Sequence, residues 1–89
     1  MKPFLYALST CYHCQRTKKW LNEHQVDYDY VDVDLAEGEE KTRLVREVKE
    51  LTGATQFPVF KIGGQHTVGF NEERFRKLLE QAAHGNGRS

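Results

Sequence analysis

Phe4-Leu5-Tyr6-Ala7-Leu8 is an unbroken apolar run that stops at Ser9-Thr10. Apolar character without alternation fits a strand covered on both faces, the situation of a central strand in an α/β sheet. Immediately afterwards the period changes. Cys14, Thr17 and Leu21 recur at steps of three and four, with Gln15, Arg16, Lys18, Lys19 and Asn22 between them. That spacing predicts a helix from Cys14 to about His24, with Thr10 or Cys11 where it begins. Trp20 is expected to pack in the helix and Tyr6 in the core.

The remaining chain continues the alternation of strands and helices. Over Tyr28 to Leu35, Val31, Val33 and Leu35 alternate with Asp32 and Asp34. Val26, Tyr28 and Tyr30 have the opposite parity, so the strand should start late or contain a bulge. Glu37 to Leu51 places Leu44, Val45, Val48 and Leu51 on one helical stripe, with Gly53 just past the end. Phe57 to Ile62 reads as a strand, Gly63-Gly64 as a two-residue hairpin loop, and His66 to Val68 as a short returning strand. Asn71 suits a helix N-cap, and Glu72 and Glu73 suit the positive helix start. Phe75, Leu78, Leu79 and Ala82 supply that helix's apolar face. The order β-α-β-α-β-β-α implies an α/β fold with four strands in one mixed sheet, flanked by helices. One domain should occupy residues 1–83, with 84–89 as a flexible C-terminal tail.

Composition excludes several classes of function. A chain of 89 residues holds one small core. Its 13 Lys and Arg balance 13 Asp and Glu, so no basic excess exists to neutralise nucleic acid. No apolar run is long enough for a membrane span, and the N-terminal run is too short for a signal peptide. A cytoplasmic monomer is the expectation.

The two cysteines stand as Cys11-Tyr12-His13-Cys14. A bridge closing so short a loop restrains little of the unfolded chain, so stability does not account for the pair. Structural zinc needs about four ligands, yet no second such pair exists and the histidines are scattered; no metal site is expected. An inert pair of core cysteines fits poorly with the junction of strand and helix. At that junction the helix start presents unpaired N–H groups and the positive end of the dipole, which favour a thiolate at Cys11. Cys14, one turn inside, is shielded and placed to resolve a mixed disulfide formed at Cys11. Tyr12 keeps its backbone N–H and should line a substrate groove. His13 can donate a ring N–H or add positive charge, and Arg16, Lys18 and Lys19 add a weaker field. Pro58 suits the opening of a strand; alternatively it is a cis proline that leaves the Phe57 backbone groups free for an extended peptide.

Cys11-Tyr12-His13-Cys14 after a first strand, Gln56-Phe57-Pro58-Val59-Phe60, Gly63-Gly64, and Val68-Gly69-Phe70-Asn71 before a last helix together resemble the glutaredoxin family. The resemblance runs from Phe4 to Leu79. It implies a thioredoxin-like fold, Cys11 as attacking thiol, Cys14 as resolving thiol and Pro58 in cis. It further implies that the Phe57 main chain pairs with the cysteinyl part of glutathione or of a protein substrate, and that Asn71 and Glu72 hold glutathione's amino end. Leu8 stands where typical members carry Lys or Arg for a glutathione carboxylate, a place that Arg16 or Lys18 could take over. The Gly69-Phe70 step is similar to glutaredoxin-like proteins that behave as thioredoxins and are reduced by a flavoprotein. The function so implied is thiol–disulfide oxidoreduction on disulfide-bearing proteins or glutathione-mixed disulfides. No bound cofactor is needed, and glutathione as co-substrate or a thioredoxin-reductase-like enzyme supplies the electrons. The alternatives are an iron–sulfur cluster carrier and a thioredoxin-like electron donor.

Overall fold

The computed structural model describes the backbone of residues 2–88 and the side chains of residues 2–82. In chain order it contains β1 (Phe4–Ala7), α1 (Tyr12–Glu23), β2 (Asp29–Asp32), a 3-10 turn (Val33–Leu35), α2 (Gly38–Thr52), β3 (Val59–Ile62), β4 (Gln65–Val68) and α3 (Glu72–Arg88). The strands lie in the order β2-β1-β3-β4. β1 runs parallel to β2 and antiparallel to β3, and β3 is antiparallel to β4 across Gly63-Gly64. The expected mixed four-stranded sheet is thus present.

The apolar run at the start becomes an interior strand with both faces covered. Leu5, Tyr6 and Ala7 are all buried. Alternation along the strand sends Leu5 and Ala7 into one cluster and Tyr6 into another. The first cluster takes Cys14, Trp20 and Leu21 from α1, Phe60 and Ile62 from β3, and Phe75 and Leu78 from α3. The second takes Leu44 and Val48 from α2 with Val33 and Val59. Tyr6 carries a hydroxyl into that second face, where it donates to Glu47 Oε1 at 2.8 Å and accepts from Lys61 Nζ at 3.1 Å. Burial, followed by the bond to Glu47, raises the Tyr6 phenol well above its ordinary range.

Three boundaries differ from the sequence reading. The start of β2 at Asp29 is not one of them: it is the late start expected, and the strand pairs residue for residue with β1, without a bulge. It ends at Asp32 rather than Leu35 because the chain turns there: Val33 enters the second cluster while Leu35 stays 65% exposed. Asp34 is drawn toward Ser9 by two hydrogen bonds, which a continuing strand could not provide. β3 begins at Val59, after a cis Phe57–Pro58 bond, since proline has no N–H to add to the ladder. α3 continues past Ala83 to Arg88, because extending a formed helix needs only one further bond per residue. The side chains of the expected tail lie outside the described residues. Among the described residues, no helix is long and apolar enough to cross a membrane.

Candidate active site

α1 starts at the point where the apolar strand gives way to polar residues. Cys11 is its N-cap: the backbone is extended there (φ −87°, ψ 122°), and its Sγ accepts the Cys14 N–H at 3.2 Å. A sulfur therefore fills the position that Ser, Thr, Asp or Asn usually fills, against the exposed donors of the first turn. The Cys11 N–H donates to the Leu8 carbonyl at 3.2 Å, closing the turn between β1 and α1. Both cysteines are free thiols.

Cys14 is fully buried, whereas Cys11 is partly exposed. The Leu8 N–H donates to Cys14 Sγ at 3.4 Å. Burial pushes the Cys14 thiol well above the ordinary range, and the hydrogen bond to Cys11 adds to the effect. The Leu8 N–H and, more weakly, Lys18 pull the other way, while the charge of Cys11 pushes upward. The two sulfurs thus occupy unlike settings three residues apart.

The other residues singled out in the sequence lie around this pair to different degrees. Tyr12 is 68% exposed beside Cys11, and its ring meets that of His13 edge-on at 5.5 Å. The Arg16 guanidinium lies 4.1 Å from the centre of the Phe70 ring and 5.8 Å from that of Tyr12. These three line a surface groove of about 420 Å³ that also includes Glu72. Phe57 packs against both apolar clusters, and its backbone lies outside the β3 register, which begins at Val59. Pro58 is buried behind it. Asn71 caps α3, its Oδ1 accepting the Arg74 N–H at 3.1 Å, and Glu72 pairs with Arg76 at 3.4 Å. Asn71 is not part of the groove wall. Leu8 packs against the second cluster.

Three features escaped the sequence reading. Phe70 forms the wall under Arg16, and Gly69 before it (φ +85°) donates its N–H to the Pro58 carbonyl at 2.8 Å. That bond ties the cis-proline loop to the segment leading into α3. Asp34 accepts the Ser9 N–H at 2.8 Å and the Ser9 hydroxyl at 2.5 Å, holding the loop before Cys11. These bonds hold the Asp34 carboxyl below the usual range. Lys18 pairs with Asp32 at 2.9 Å, both largely withdrawn from solvent. Only the position of Lys18, one turn beyond Cys14, was visible in the sequence. Among the described residues, no group of three or more His, Cys, Asp or Glu is placed to hold a metal ion.

The glutaredoxin family model matches residues 4–67 of the chain. A glutaredoxin-like 8.6 kDa protein of the rubredoxin operon in Clostridium pasteurianum is 32% identical over 77 residues, covering 86% of this chain and 96% of that protein. The glutaredoxin-like protein NrdH of Lactococcus lactis subsp. lactis is 30% identical over 74 residues, covering 83% of this chain and 94% of its own. Among solved structures, a glutaredoxin from Archaeoglobus fulgidus superposes with a TM-score of 0.84 at 36% identity, covering 88% of this chain and 85% of that one. The sheet order and the three helices are those of the thioredoxin-like fold. By family model, by relatives and by fold, the chain belongs to the glutaredoxin family, whose members are thiol–disulfide oxidoreductases.

Proposed function

We propose that the protein reduces disulfides of other proteins, or mixed disulfides with glutathione, through a two-thiol cycle. The carrying observation is the asymmetry of the pair: Cys11 is accessible at a helix start and Cys14 is buried one turn behind it. The Cys11 thiolate attacks one substrate sulfur, the substrate disulfide breaks, and one product leaves as a thiolate. Cys14, after losing its proton, attacks Cys11 Sγ. This forms the Cys11–Cys14 bond and expels the second product thiolate. Two electrons have then passed to the substrate, and an external dithiol or two glutathione molecules return them.

Tyr12, His13, Arg16, Phe57, Pro58, Asn71 and Glu72 form the substrate-binding surface of this reading, with the Phe57 backbone available to an extended chain. No resident cofactor takes part. Leu8 packed among apolar groups offers no cation for a glutathione carboxylate, which favours reduction by a thioredoxin-reductase-like flavoprotein. A dithiol that must return to its reduced form suits the cytoplasm.

An assay coupled to substrate reduction, run once with glutathione and glutathione reductase and once with thioredoxin reductase, tests both levels. Cys11→Ser is expected to abolish turnover with either. Cys14→Ser is expected to lose reduction of protein disulfides while keeping any glutathione-dependent activity. Full activity of Cys11→Ser would reverse the roles of the two thiols. Turnover with glutathione alone would remove the flavoprotein reading.

A further inference from the structure

The second chemical step requires a thiolate at Cys14, which is fully buried, and the surroundings of Cys14 make that difficult. Cys14 lies within a cluster of Leu5, Ala7, Phe60 and Phe75, none of which ionises. The loop at Phe57 brings no charge either. The charged groups near it come from two elements. On α1, Lys18 follows Cys14 by four residues, the spacing that stacks side chains on one helical face. His13, also on α1, is exposed. On β2, Asp32 is in register with Ala7, directly before the Leu8 whose N–H bonds Cys14 Sγ. Lys18 Nζ joins these elements. It lies 2.9 Å from Asp32 Oδ1 and 4.4 Å from the centre of the Tyr30 ring, with side-chain exposures of 23% for Lys18 and 16% for Asp32. The Tyr28 phenol, also near Lys18, is pushed up mainly by burial and stays neutral.

We propose that the Lys18–Asp32 pair sets the rate of the resolving step, with Lys18 as the positioning residue that favours the Cys14 thiolate and Asp32 as the carboxylate that restrains it. The proposal rests on the dithiol reading above. While Cys11 is a free thiolate, it holds the Cys14 proton through their hydrogen bond and through its charge. Once Cys11 is in a mixed disulfide that charge is gone, and the Leu8 N–H and Lys18 are the groups left to oppose burial. The resolving thiol therefore gives up its proton more readily once there is something to resolve. The proton goes to water, the Cys14 electron pair forms the bond to Cys11 Sγ, and the substrate sulfur departs with the electrons of the broken bond.

The test uses the full chain and an aromatic disulfide with a coloured thiolate product, followed by rapid mixing across pH. Cys11 attack releases one coloured thiolate, and Cys14 attack on the resulting mixed disulfide releases the second. In Lys18→Met the pH midpoint of the second phase should rise. The rate at neutral pH should fall about threefold for each unit of rise, because a more basic thiolate is also more nucleophilic. Asp32→Asn should move that midpoint down, and Lys18→Arg should restore it toward the original. Opposite signs cannot come from general loss of structure, and the first phase reports in each variant that the start of α1 is intact. Midpoints that stay put in both Lys18→Met and Asp32→Asn, or that move in the same direction, would overturn the proposal. Absence of a second phase in the unaltered protein would instead sink the dithiol reading beneath it.

Discussion

Asp34 shows how one carboxylate far along the chain can shape the approach to a thiol. It accepts both the backbone N–H and the hydroxyl of Ser9, two residues before Cys11. These bonds hold its carboxyl below the ordinary range in the folded protein. A depressed folded value means that the contribution to stability is present above the unfolded value of about 3.9 and is lost as pH falls through the folded value. Asp34→Ala should therefore unfold at lower urea concentration than the parent at neutral pH. The gap between the two midpoints should close as pH is taken below about 4, the unfolded carboxylate value. A gap that stays constant over that range would show that Ser9 is held by other means. From the sequence, Asp34 reads simply as a polar position in an alternating strand, since nothing local reveals a partner 25 residues earlier.

The helices were legible because their signals are local, and the strand ends were less so because theirs are not. Gly53 marks the end of α2 in the sequence, and in the structure it takes the left-handed conformation (φ +86°) and donates its N–H to the Lys49 carbonyl at 2.8 Å. A Cβ added there meets nothing within 4 Å, so substitution acts through the backbone alone. Gly53→Ala should cost about 1 kcal/mol from the left-handed strain, read as a lower thermal midpoint with thiol chemistry unchanged. A loss much greater than that would mean α2 ends differently. Asn71 likewise announced its cap, and Cys11 stood at a readable helix start. The early turn at Val33 depends on packing against α2 and on the tie to Ser9, both products of the tertiary arrangement. The same holds for the groove, where the Arg16 and Phe70 contact joins residues far apart along the chain.

At the scale of the molecule, the sheet divides the apolar interior into two clusters with different duties. One encloses Cys14 between α1 and α3, and the other lies under α2 and contains neither thiol. Leu44, 4% exposed, belongs to the second. Leu44→Ala should destabilise by roughly 2–5 kcal/mol, a large share of the roughly 5–15 kcal/mol typical of a domain. The denaturation midpoint should fall steeply, while protein that remains folded keeps both phases of the coloured-disulfide reaction. Loss of the second phase in that folded fraction would show that the two faces are not independent. Of this division the sequence disclosed the double burial of the first strand, but not which helix covers which face.

β2 lies at the margin of the sheet, and it or the turn after it carries both Asp32 and Asp34. Sheet margins fray before centres do, because one side of the strand has no neighbour to hold it. A brief detachment there would slacken the Ser9 loop and unseat Lys18 together. Under the proposed role of the Lys18–Asp32 pair, the reactivity of the two sulfurs is thus hinged to an edge strand, a weakness that a docking protein could exploit simply by leaning on it.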